Sequence, residues 1–367
     1  MQMNRIYRSG LLFLLVAGWM FSAAGEPQKN EKFTIRRGTN ISHWLSQSGK
    51  RGRARAEWFT KKDAAYLAGL GFDHLRIPVD EEQLWDENGS PDTEAFGLLN
   101  DSLDWCAEYG LRAIVDLHIL RSHHFNEGEK LLWTDPAAQE RFLQCWRELS
   151  AFLKNRPLDR VAYELLNEPV AADHEDWNKL LNRAVAVIRE TEPSRILFIG
   201  SNKWQTPGTF HRLRLPENDP NLYLSFHMYE PFIFTHYRAS WTDLTRRYTG
   251  PVQYPGMTIS EETFAAQPPD LQKQLQGEVR PYNKEAMLER LSTAIRVAKE
   301  HNLPLCCTEW GCLPNVPEDE RMQWYRDLRA VMEENGIAWS TWDYKGSFGL
   351  VDKKGNPQTA LIDVLMK

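Results

Sequence analysis

Short apolar runs rich in β-branched residues alternate along this chain with longer stretches whose apolar positions recur at helical spacing. The short runs are Phe33–Asn40, His74–Pro78, Arg112–His118, Val161–Asn167, Ile196–Gly200, Tyr223–Tyr229, Leu305–Glu309 and Ile337–Trp342. Each has the length of a strand. Lys61–Gly69, Leu98–Tyr109, Ala137–Lys154, Asp176–Glu192, Lys284–His301 and Glu318–Asn335 read as helices, with Gly or Pro near several of their ends. Strands alternating with helices in this way form βα units around a parallel sheet. Eight such units predict an α/β fold, a single-domain (β/α)8 or TIM barrel. The link from the sixth strand to the seventh, roughly 230–304, is the longest. It holds one helix and a Pro- and aromatic-rich stretch with Trp241, Tyr248, Tyr254 and Pro255. In a barrel this loop overhangs the C-terminal face and is expected to wall the site that forms there.

The N-terminus has a different pattern. Arg5 and Arg8 precede an apolar run from Leu11 to Phe21, followed by Ser22-Ala23-Ala24-Gly25 and then polar residues. A basic start, a short apolar middle and a small-residue exit describe a secretory leader over residues 1–25, leaving 26–367 as one domain. The run is too short to span a bilayer, and no later stretch is long and apolar enough. A secreted or periplasmic protein, free of the membrane once the leader is removed, is expected, acting as a monomer. The formal charge of −6 is mild and Lys and Arg are dispersed, which argues against nucleic acid as a partner. Five irregularly spaced Cys exclude a disulfide-dense scaffold and a zinc ribbon. A bridge from Cys312 to Cys306 or Cys307 stays open. Fourteen Trp supply flat faces of the kind that hold sugar rings, although Trp is also a core residue.

Candidate chemistry lies where the apolar runs stop. Arg76, His118, Asn167, Glu168, His227, Tyr229, Glu309 and Trp342 all sit at strand ends, and the C-terminal strand ends of a barrel converge on one pocket. Glu168 and Glu309, on the fourth and seventh strands, can face each other across that pocket. Cleaving a glycosidic bond needs such a pair: one acid to protonate the leaving oxygen, and one carboxylate to stabilise or trap the positive centre. A separation of about 5 Å would make the second a nucleophile and the outcome retaining. Trp204, at the end of the fifth strand, is a candidate subsite wall. Trp44 and Trp310 could be wall, floor or packing, and His123 and His124 could be sugar contacts or solvated loop.

The segment Val161-Ala162-Tyr163-Glu164-Leu165-Leu166-Asn167-Glu168-Pro169 resembles the Asn-Glu-Pro motif of glycoside hydrolase family 5, the cellulase-type family. Other strand ends follow in family order: Arg37–Leu45 at the first, Leu75-Arg76-Ile77-Pro78-Val79 at the second and Val115-Asp116-Leu117-His118 at the third. Ser225-Phe226-His227-Met228-Tyr229, Thr308-Glu309-Trp310-Gly311 and Ser340-Thr341-Trp342-Asp343-Tyr344 match the sixth to eighth. The resemblance spans nearly the whole chain after the leader. It implies Glu168 as acid/base, with the higher pKa, and Glu309 as nucleophile, held by Arg76 and Tyr229. It further implies that Asn167 reaches the sugar 2-hydroxyl, His118 a neighbouring hydroxyl, His227 the acid/base, and that Trp342 floors the same subsite.

An endo-β-1,4-glucanase acting on polysaccharide or oligosaccharide is therefore expected, without cofactor or metal. A β-mannanase, another β-glucanase or an exo-glucosidase would share the same catalytic set. Two other classes compete. A metal-dependent barrel hydrolase could use Asp116, His118, His123 and His124, but no zinc spacing is present and the two glutamates would lack a role. A non-catalytic glycan-binding barrel would be expected to lack one of the two acids.

Overall fold

The computed structural model describes residues 33–126, 130–352 and 354–367. The expected leader lies outside the described residues. Eight strands form a closed, all-parallel barrel: β1 Arg37–Asn40, β2 His74–Asp80, β3 Arg112–Ile119, β4 Val161–Glu164, β5 Leu197–Gly200 and β6 Leu222–Met228, completed below by β9 and β10. An antiparallel pair, β7 Gly256–Met257 and β8 Pro281–Tyr282, stands apart from it. β9 Leu305–Trp310 and β10 Ala338–Thr341 then close the ring, whose order is β1-β10-β9-β6-β5-β4-β3-β2. The fold is the expected (β/α)8 barrel.

The outer helices follow from local chemistry. Asp92, Asp135, Asp173 and Asn283 each accept a backbone N–H at the start of the helices Thr93–Glu108, Pro136–Leu153, His174–Arg189 and Lys284–His301. Thr60 and Asp63 form a capping box on Lys61–Gly69. In Pro136–Leu153, Phe142, Cys145, Trp146, Leu149 and Leu153 recur at helical spacing and are buried against the barrel.

Inside the barrel, period-two alternation stacks layers of unlike character. Phe33, Ile35, Ile114, Ala162, Phe198, Tyr223, Cys306 and Ala338 belong to one apolar cluster that plugs the floor. One step up, Arg76, Asp116, Glu164, Ser225 and Thr308 make the next layer polar, and His118 and His227 lie above. A floor that excludes water beneath a polar layer strengthens every charge interaction in it.

Most element boundaries shift by a few residues from those the sequence predicts, and some of the differences bear on the site. The first strand starts at Arg37 rather than Phe33, because Phe33 turns under the barrel: its carbonyl accepts from the Tyr223 hydroxyl, and its ring meets Phe198 at 6.2 Å. The fourth strand stops at Glu164, so Asn167 and Glu168 lie on a loop, Glu168 with φ of 46°. The long link carries four short helices and the β7–β8 pair as well as Lys284–His301. The helix Thr359–Met366 was also missing from the sequence reading.

Candidate active site

Arg76, on β2, organises the barrel mouth. Its guanidinium donates from Nε to Glu164 Oε2 at 2.6 Å, and from Nη1 to Glu309 Oε1 at 2.6 Å and Asn40 Oδ1 at 2.9 Å. Nη2 reaches Asn167 Oδ1 and Asp116 Oδ2, each at 2.9 Å. Five partners from four strands and the loop after β4 are tied to one buried side chain. Burial alone would disfavour its charge, but Asp116, Glu164 and Glu309 hold it above its ordinary value.

Glu309, on β9, receives Arg76 on one oxygen and the Tyr229 hydroxyl at 3.0 Å on the other. Glu168 meets His227 Nδ1 at 2.8 Å, and His227 Nδ1 also lies 3.7 Å from Glu309 Oε2. A carboxylate oxygen of Glu168 and one of Glu309 lie within 4.8 Å of each other. The two acids are nonetheless unequal. Burial, and then the charge of Glu309, push the Glu168 carboxyl well above the ordinary glutamate range. Burial raises Glu309 too, but Arg76 opposes it. Of the pair, Glu168 is the one placed to keep a proton. Burial, with Arg76 nearby, drives His227 well below its usual range, so the imidazole is neutral. Tyr229 is pushed up by burial and by Glu309, and stays a phenol able to donate.

Six of the sequence-predicted residues, Glu168, Glu309, His227, Tyr229, Trp342 and Trp204, line one cleft of about 800 Å³. Arg76, His118 and Asn167 lie just beneath it, essentially unexposed. Asn167 Nδ2 has no hydrogen-bond partner among the described residues, so its amide carries an unused donor. Trp342 stacks parallel to His118, with centroids 5.6 Å apart. His118 donates from Nδ1 to Asp116 at 2.6 Å, and its Nε2 lies 2.9 Å from the amide nitrogen of Gln47, which lines the cleft. Trp204 is 47% exposed, and Trp241, from the long link, is 50% exposed in the same cleft.

Other candidates land elsewhere. His123 is buried, with Nε2 3.3 Å from the Glu168 carbonyl, so it is neither a sugar contact nor solvated loop but a support beneath the acid. His124 stacks on Phe125, which lines the cleft. Trp44 and Trp310 are fully buried packing residues. Four residues of the site go unmarked in the sequence analysis: Gln47 and Phe348, which line the cleft, Glu164, which binds Arg76, and Gln205, which accepts the Glu168 N–H. Of these only Glu164 had a signal, a carboxylate in the middle of an apolar strand, which demands a buried partner.

Glu168, His227 and Glu309 could in outline supply three metal ligands. Glu309, however, has both oxygens engaged, and a fixed guanidinium 2.6 Å from one of them repels a cation. Asp116 and His118, considered above as ligands, are bonded to each other.

Comparisons with known proteins agree on the family. The cellulase (glycosyl hydrolase family 5) profile matches residues 33–347. Endoglucanase C of Acetivibrio thermocellus is 31% identical over 316 residues, covering 85% of this chain and 92% of that protein. Cellodextrinase A of Ruminococcus flavefaciens is 30% identical over 309 residues, covering 83% and 84%. The crystal structure of endoglucanase Cel5A from Thermotoga maritima superposes with a TM-score of 0.72 at 22% identity, covering 90% of this chain and 96% of that one. With the barrel, the cleft and these relatives in agreement, the chain belongs to glycosyl hydrolase family 5 and is an O-glycosyl hydrolase.

Proposed function

We propose that this protein is a retaining endo-β-1,4-glucanase in which Glu168 is the acid/base and Glu309 the nucleophile. The observation that carries the reading is the pair itself: two buried carboxyls with oxygens within 4.8 Å, one biased toward the acid and the other held by Arg76 and Tyr229. A gap of this order leaves no room for a water between nucleophile and sugar, which favours double displacement over inversion.

In the first step Glu309 attacks the anomeric carbon while Glu168 gives its proton to the departing oxygen, forming a glycosyl ester. Glu168, now an anion, then takes a proton from water as that water attacks the same carbon, releasing Glu309. Tyr229 and Arg76 keep Glu309 aimed in both steps. The free donor of Asn167 suits the sugar 2-hydroxyl, a contact that strengthens in the transition state. Trp342 supplies the floor of that subsite, and Trp204 and Trp241 the walls beyond it.

The β-1,4-glucan preference rests on the endoglucanase and cellodextrinase relatives, and export rests on the N-terminal pattern. Proton NMR of the first turnovers on cellotetraose should show the β-anomer before mutarotation; first appearance of the α-anomer would sink the retaining assignment. Sizing of early products from soluble β-1,4-glucan should give intermediate oligomers. Glucose alone would indicate exo action, and faster cleavage of β-mannan would redirect the substrate. N-terminal sequencing of protein from the culture medium should begin near residue 26.

A further inference from the structure

We infer that Gln205 is a positioning residue for the acid, holding Glu168 and its histidine in register for proton delivery. The inference rests on the assignment of Glu168 as acid/base. Gln205 Oε1 accepts the Glu168 backbone N–H at 2.8 Å, and the Gln205 backbone carbonyl accepts the His227 N–H at 3.1 Å. One residue thus fixes the main chain of the acid and of the imidazole that touches the acid's carboxyl.

The orientation of the amide is dictated from below. Gln205 Nε2 donates to Glu164 Oε1 and to Ser225 Oγ, each at 2.9 Å. Glu164 accepts from Arg76 on its other oxygen and, with both oxygens taken up by donors, admits only a donor on this side. Nε2 must therefore face Glu164, which leaves Oε1 for the Glu168 N–H. A continuous chain of bonds follows, running Glu309–Arg76–Glu164–Gln205–Glu168 from nucleophile to acid.

Two further features show that the fold accommodates this residue at a cost. Lys203, Trp204 and Gln205 all have left-handed φ, at 64°, 58° and 50°, and so does Glu168, an unfavourable backbone for side chains with a Cβ. Gly200, at the end of β5, leaves the space that Gln205 fills: a Cβ there would lie 2.5 Å from Gln205 Cγ and Nε2. Gln205 is fully buried, so it does not itself touch substrate.

The test separates proton delivery from general damage by leaving-group dependence. Cellotetraose loses a sugar alkoxide and needs the acid, whereas dinitrophenyl β-cellobioside loses a phenolate and does not. In Gln205→Met the ratio of kcat/KM on cellotetraose to that on the aryl glycoside should fall on the order of 10–100-fold. An equal fall on both substrates would overturn the positioning role. Glu168→Ala, run alongside, should lower the same ratio further. If Glu168→Ala lowers both rates equally, the acid assignment is wrong and the inference goes with it; if it discriminates while Gln205→Met does not, only the inference is lost. Gln205→Glu decides the matter should Gln205→Met not fold. It keeps the acceptor for the Glu168 N–H but sets a second carboxyl against Glu164, and protonation restores the donor. Its deficit relative to wild type should narrow as pH is lowered, and a deficit constant with pH would overturn the inference.

Discussion

As nucleophile, Glu309 would have to stay ionised in a site that burial makes hostile to charge, and two donors favour its anion, Arg76 on β2 and Tyr229 just past β6. Removing its charge in Glu309→Gln should cut kcat on cellotetraose by about 10⁴-fold or more. The same change removes the negative neighbour that helps hold up the Glu168 carboxyl, so the Glu168 pKa should fall, as carboxyl carbon NMR would report. The sign of the pH profile follows from the same pair. Glu168, raised, keeps its proton above the range where glutamates ordinarily ionise, so the alkaline limb of kcat/KM should lie higher than that range. Tyr229→Phe removes a donor that favours the Glu309 anion. Its pKa should rise, moving the acid limb to higher pH, with kcat down about tenfold.

At the scale of elements, strand ends place the charged groups and the loops supply the walls. Trp204 follows β5 and Trp241 follows β6, and both leave about half their surface open to the cleft. Stacking of this kind contributes about 0.5–1.5 kcal/mol per ring. Trp204→Ala and Trp241→Ala should each raise KM for long cello-oligosaccharides about 2–10-fold. Equal KM values in variants and wild type would remove these residues from the binding wall. The end of β5 makes a sharper prediction. Gly200→Ala would drive a methyl into Gln205, so kcat should fall about tenfold and stability by about 1–3 kcal/mol, the latter read by thermal unfolding. The long link holds four helices beyond the single one that the sequence predicts. Its four short helices could not be seen in advance, because pieces of five to seven residues such as Asp243–Arg247 and Pro269–Leu275 are too short to show a helical period and are held by tertiary contacts.

At the scale of the molecule, the five cysteines are free and buried, including Cys306, Cys307 and Cys312. Burial pushes the Cys106 thiol up to about 12 and raises the others as well. A thiol reagent should therefore find none in the native protein and five after unfolding in denaturant; fewer than five would reveal a bridge. Turnover should also survive EDTA, since the Arg76 guanidinium against Glu309 repels a cation from the pair. The repeating alternation of apolar runs and helical periods was enough to reach the barrel, because a strand buried on both faces and a helix buried on one leave different spacings in any sequence. Asn167-Glu168-Pro169 and the other strand-end residues were legible for a related reason: polar groups at the close of an apolar run need a site to face. Trp44 and Trp310 were ambiguous, since Trp serves core and cleft alike and only packing decides which. Gln205 was silent, as an uncharged amide in a loop has no spacing to betray it. Which acid keeps the proton likewise depends on the fold and not on local sequence, because a pKa depends on burial and on neighbours more than a hundred residues away along the chain.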